Sequence, residues 1–207
     1  NQPNLTFLSN GFGITSGGIT VGLGANGNAY IYLAFGADAA SEAPTLADSF
    51  NAVAYAGNGS SNRTISGVNF QPDILWIKSR SSSEQHYLWD SIRGSSNYLH
   101  PNLTSAQATD STTRLKAFLP DGFKLGNELS VNGNNETFIS WAWKVNEGTT
   151  SINTEGTINT ITSVNANAGT SIVQFTNSSP SGSTRCGHGL STSPNMIILK
   201  RYDGAEN

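Results

Sequence analysis

The 207 residues carry 11 Lys+Arg, 14 Asp+Glu and 3 His, a net charge of −3, and only 12% of positions are charged. Binding nucleic acid through a basic stripe, crossing a membrane with an apolar helix of about 20 residues, and packing as an Ala/Leu/Glu/Lys-rich bundle are all excluded by this composition. The 27 Ser, 20 Thr, 23 Asn and 22 Gly, with 19 aromatic residues in spaced apolar runs, point instead to an all-β chain with polar, turn-rich connections.

In chain order, the first strong strand signal is Ala29 to Phe35, aromatic and β-branched between Gly27 and Gly36. Asn51 to Ala56 alternates large and small residues and stops at Gly57-Asn58-Gly59. Asp73 to Lys78, after Pro72, reads as a strand buried on both faces. The segment Leu103 to Ala108 is the best helical stretch, and it predicts a single turn at most. Thr137 to Trp143, Thr170 to Phe175 and Asn195 to Lys200 complete the strands. Short strands separated by turn residues point to a sandwich or a barrel, and antiparallel β-sandwich units are the fold expected.

Internal repeats organise these strands. Phe7-Leu8-Ser9-Asn10-Gly11-Phe12 returns as Phe118-Leu119-Pro120-Asp121-Gly122-Phe123, and Asn28 to Phe35 returns as Glu136 to Trp143. Val53-Ala54-Tyr55 returns as Val173-Gln174-Phe175, and Pro72 to Lys78 as Pro194 to Lys200. Residues 49–145 thus form a complete sandwich unit. Residues 1–40 are the closing part of a preceding unit and 168–207 the opening part of a following one, with 146–167 a linker or edge strand. Half a sandwich cannot bury its inner face alone. The two end pieces therefore need strands from a longer polypeptide, the simpler reading, or from each other.

The order of motifs in the middle unit resembles a known family. Phe50-x-x-Val53-x-Tyr55-x-Gly57-Asn58-Gly59 is followed by Gly67-Val68-x-Phe70-x-Pro72-Asp73-x-x-Trp76-Ile77-Lys78-x-Arg80. Asp90-Ser91-Ile92-Arg93-Gly94, Asp121-Gly122-Phe123 and Phe138-x-x-Trp141-Ala142-Trp143-Lys144 follow in turn. This series resembles a domain of unknown function repeated in tail-fibre and other structural proteins of marine bacteriophages. The resemblance implies a concanavalin-like jelly-roll sandwich and a location in the virion. It also implies a non-enzymatic appendage of the tail or head that contacts the host. Phe35, where Trp143 stands in the other copy, departs from the pattern.

Chemistry is sparse. His86, His100 and His188 are far apart in sequence, so no zinc set is predicted, and no metal or cofactor is expected. The single cysteine, Cys186, cannot form an internal disulfide, and Gly187-His188-Gly189 beside it reads as a turn. Ser79 and Ser81-Ser82-Ser83 lack a Gly-x-Ser-x-Gly elbow. Asp90 and Arg93, three apart, predict a structural ion pair in a tight turn. Trp89, with Tyr87 and His86, is the expected exposed ligand contact, since sugar faces stack on open aromatic rings. Trp76 reads as core. The core is expected from Tyr30, Tyr32, Val53, Tyr55, Ile74, Trp76, Phe138, Trp141 or Trp143, Val173 and Ile197.

The expected partners are further copies of the chain, a trimer above all, other virion proteins and a host-surface glycan, with no nucleic acid and no membrane insertion. A secreted carbohydrate-binding module is the second reading, and a glycan-degrading enzyme the third.

Overall fold

The computed structural model describes residues 4–8, 11–15, 29–35, 46–177 and 184–205. In chain order the strands begin with β1 (Asn4–Leu8), β2 (Gly11–Thr15), β3 (Ala29–Phe35) and β4 (Phe50–Ala56). There follow β5 (Arg63–Ser66), β6 (Ile74–Ser79), β7 (Tyr87–Asp90), β8 (Asn97–Tyr98) and β9 (Ala108–Thr109). Next come β10 (Leu115–Leu119), β11 (Gly122–Leu125), β12 (Thr137–Trp143) and β13 (Ser151–Asn153). The last are β14 (Thr160–Asn165), β15 (Thr170–Thr176), β16 (Thr184–Gly187) and β17 (Met196–Arg201). Two single helical turns, α1 (Leu46–Ser49) and α2 (Leu129–Asn132), interrupt them. The fold is an all-β, antiparallel sandwich. The helical turn expected over Leu103 to Ala108 is absent, because that stretch leads into β9 and pairs with β8.

The chain divides into two compact units. The middle one holds residues 44–103 and 107–148. Its two sheets, β4-β12-β6-β7 and β10-β11-β5, enclose a core in which Leu75, Ile77, Trp89 and Phe138 from one sheet meet Leu115 and Phe123 from the other. Asp121-Gly122 turns the β10–β11 hairpin. Gly122 is required there, since its φ is 147° and a Cβ would meet the Ile65 carbonyl oxygen at 2.0 Å.

The second unit takes residues 1–43, 104–106 and 149–207. The two end pieces of this chain pair with each other: β3, from the first, lies between β15 and β17, from the second. Likewise β2 pairs with β16. The segment expected as linker or edge strand supplies β13 and β14, added beside β15.

The sequence repeats occupy equivalent places in the two units. Phe138 of central β12 faces Tyr55 on one side and Ser79 on the other; Tyr30 of central β3 faces Phe175 and Arg201. The hairpins match as well, with Phe118 opposite Phe123 and Phe7 opposite Phe12. Even the strand entry is shared. Asp73 N–H donates to Trp143 O at 2.8 Å, and Asn195 N–H to Phe35 O at 2.7 Å.

Of the expected core, Tyr30, Tyr32, Ile74, Phe138 and Val173 are fully buried, and Val53, Tyr55 and Ile197 pack against the two cores. Trp76, Trp141 and Trp143 are only half-buried. They lie on the face of β6 and β12 opposite Leu75, Ile77 and Phe138, because alternate residues of a strand point to opposite sides.

Candidate functional site

The expected contact group separates between two faces. Trp89 is fully buried (0% exposed) and Tyr87 nearly so (5%), which corrects the expectation that they form an exposed contact. The cause is strand parity: β7 sits beside β6 with Leu75 opposite Trp89 and Ile77 opposite Tyr87, so both rings turn into the core. There they stack at 5.7 Å, Tyr98 joins at 5.4 Å from Tyr87, and His100 closes edge-on at 4.6 Å. The Arg114 guanidinium caps the cluster, 5.5 Å from the Tyr87 ring centre and 5.0 Å from that of Tyr98.

Arg114 is held by Asp110 at 2.7 Å. Burial opposes ionisation of Asp110, but hydrogen bonds from Thr113 and Thr112 and the Arg114 charge outweigh it and hold the carboxyl well below the usual range. The other carboxylates near the core are equally engaged. Asp73, fully buried, accepts backbone N–H bonds from Val145 (2.7 Å), Glu147 (2.9 Å) and Gly148 (2.6 Å). Asp90 accepts Arg93 Nε at 2.6 Å and the Arg93 backbone N–H at 2.9 Å, while Arg93 Nη1 reaches Gln107 Oε1 at 3.0 Å. The pair is buried, and Arg93 Nη2 has no partner among the described residues. A carboxylate saturated by donors is a fastening, poorly placed to trade protons with a substrate.

The remaining reactive groups follow suit. Burial pushes the Cys186 thiol up to about 12, so it stays protonated and a poor nucleophile. His188 is buried, and its Nδ1 accepts Leu190 N–H at 2.9 Å in the turn that Gly189, with φ +73°, allows. The Ser79 and Ser82 hydroxyls, 2.8 Å apart, tie their loop to Glu136. Among the described residues no three His, Cys, Asp or Glu converge as metal ligands. A shallow polar depression of about 410 Å³ runs past Ser151, Asn153 and Thr162, but Asn153 Oδ1 is taken by Glu155 N–H at 2.7 Å.

Open aromatic surface lies elsewhere, on the outer face of the β4-β12-β6-β7 sheet. Trp141 stands opposite Trp76 on one side and Ala52 on the other, and the two indoles meet edge to face at 6.2 Å. Trp143 and Phe50 follow at 5.0 Å from each other. Ala52 and Ala54 are exposed and add almost no height, so the indoles border a flat trough. Trp76 Nε1–H donates to His86 Nδ1 at 3.0 Å, which leaves the ring offering its π-face rather than its donor. Burial, with the Lys78 charge second, holds His86 below the ordinary histidine range and keeps that nitrogen an acceptor. Lys78 Nζ turns to the carbonyls of Ser79 (2.5 Å) and Ser82 (3.1 Å), which ties its ammonium to the following loop.

Of the expected contacts only His86 borders this platform. Trp76 was hidden in the apolar run Ile74-Leu75-Trp76-Ile77. The available signal was Lys78, two residues on, which marks the same strand face as partly wet.

The geometry defines an all-β sandwich protein with an aromatic surface and internally saturated carboxylates. The domain of unknown function DUF7483 matches residues 45–207, and the chain belongs to that family. No curated protein and no solved structure matches the chain.

Proposed function

We propose that this chain is a non-enzymatic structural protein of a bacteriophage virion, a segment of a tail fibre or head appendage. Its contact with the host surface would run through the Trp76–Trp141 platform to a neutral glycan. The observation that carries the reading is the pair of indoles at 6.2 Å on one sheet face, with the Trp76 N–H spent on His86. Such rings favour the apolar C–H face of a pyranose, and the nearby Lys78 ammonium is turned to the carbonyls of Ser79 and Ser82. An order of motifs that resembles phage fibre domains, and two equivalently registered units in one chain, support a role in reach and repeated contact.

The test is binding of the chain to purified bacterial surface polysaccharides by calorimetry. Trp141→Ala is expected to weaken binding by about tenfold or more, roughly 1.4 kcal/mol, while Trp89→Phe, inside the core, leaves the affinity of the folded protein unchanged. Equal affinities for wild type and Trp141→Ala would refute the platform. A secreted carbohydrate-binding module would use the same rings. Immunogold labelling of phage particles separates the two, since only an appendage decorates virions.

A further inference from the structure

The two units differ at one sheet edge. In the unit built from both chain ends, β15 is flanked by β3 on one side and by antiparallel β14 on the other, with Gln174 opposite Ile161. Its counterpart β4 has β12 on one side and, among the described residues, no strand on the other.

Backbone direction shows what that edge offers. Lys144 N–H reaches Ser49 O at 2.9 Å and Gly57 N–H reaches Glu136 O at 2.8 Å, so Ser49 and Gly57 face β12. Alternation then turns Asn51, Val53 and Tyr55 to β12 and Phe50, Ala52, Ala54 and Ala56 outward. Ala52 N–H is occupied by Asn51 Oδ1 at 2.8 Å. The N–H groups of Ala54 and Ala56 and the C=O groups of Ala52 and Ala54 have no partner among the described residues.

Four of the other edges are blunted in the ways that prevent strand addition. A Leu88–Leu99 bridge covers β7, and β13 has three residues. β17 ends in Lys200-Arg201, and β10 shifts register between Leu115 and Ala117. β4 is seven residues long, with no charge and no proline.

We propose that β4 is a self-docking edge: two copies pair antiparallel along it, with Ala54 opposite the partner's Ala54. In that register Ala54 N–H donates to the C=O of the partner's Ala54, Ala56 N–H donates to the C=O of the partner's Ala52, and both bonds recur by symmetry. All four use groups with no partner among the described residues and leave the Asn51 cap on Ala52 in place. Residues 49–60 carry no charge, so no like charges meet across the seam. The pairing is isologous and therefore closes as a dimer, not as a trimer. The two-fold axis stands perpendicular to the joined sheet, so both aromatic platforms share one side. The seam requires no ligand on the platform, and its failure would leave the glycan reading standing.

The experiment is sedimentation velocity of the 207-residue chain over roughly 1–100 µM. A dimer is expected, and its dissociation constant should rise about 100-fold or more in both Ala54→Pro and Ala54→Lys. The Ala54 N–H faces away from β12, so proline takes no bond from the native sheet. Lysine serves if proline impairs folding. Hydrogen exchange should show slow amides at positions 54 and 56 in the wild-type dimer and fast ones at the same positions in the lysine variant. A monomer at the highest concentration, a trimer, or a dimer indifferent to the lysine variant would overturn the proposal.

Discussion

The middle unit folds from one continuous stretch, whereas the other draws its central strand from about 140 residues away in sequence, yet the two sheets agree in register. The same cross-strand stack anchors both: Tyr55 on Phe138 at 5.2 Å and 17°, Tyr30 on Phe175 at 5.3 Å and 18°. Aromatic pairs and the two-residue period set the register, because a one-residue slip would carry every core side chain to the wrong face. Connectivity matters less, since the entropic cost of closing a loop grows only with the logarithm of its length. What connectivity does change is vulnerability. A central strand held only by non-covalent pairing can be removed by trimming one end of the chain.

The largest test of that comparison is deletion of residues 1–43. Amide protection in β15 and β17 should collapse, while β6 and β12 of the continuous unit keep theirs. Protected β15 in the shortened chain would mean that β3 is dispensable and the equivalence of the units superficial.

A sharper contrast comes from paired substitutions at one equivalent position. Asp73→Ala removes the acceptor of three N–H donors, of which the Val145 N–H is buried, and should cost about 2–3 kcal/mol in urea unfolding. Asn195→Ala, exposed in the other unit, should stay within about 0.5 kcal/mol. Similar costs at both sites would show that the fastening is not specific to the continuous unit.

The smallest effect is one of pH. His86 is held below its ordinary value near 6.5, first by burial and second by Lys78. Its contribution to stability is complete above that ordinary value and is lost as pH falls through the lower, folded value, where Nδ1 gains a proton and gives up the Trp76 N–H. Replacing Trp76 by Phe should raise the His86 pKa, read from its ring resonances by NMR. An unchanged titration would mean that the indole does not stabilise the neutral ring.

Much of the fold was legible before any coordinates. Thr137 to Trp143 and Ala29 to Phe35 are strands with the bounds their composition suggests, because β-branched and aromatic runs end where Gly and polar turn residues begin. The site was less legible. Trp89 was expected outside and lies inside; Trp76 was expected inside and is only half-buried. Each error has one origin. An apolar run such as Ile74 to Ile77 does not reveal which of its faces meets the second sheet, and only the pairing of β6 with β12 and β7 settles it.

Composition and periodicity by themselves determined an all-β chain, the places of its main strands and the repetition of its motifs, since these depend on local propensity and the two-residue period. Tertiary structure alone decided that β3 completes a sheet with β15 and β17, that Trp76 and Trp141 share one face, and that β4, among the described residues, lacks the strand its counterpart has. Those outcomes rest on contacts between residues far apart in sequence, where side-chain burial and backbone pairing are properties of the assembled sheet.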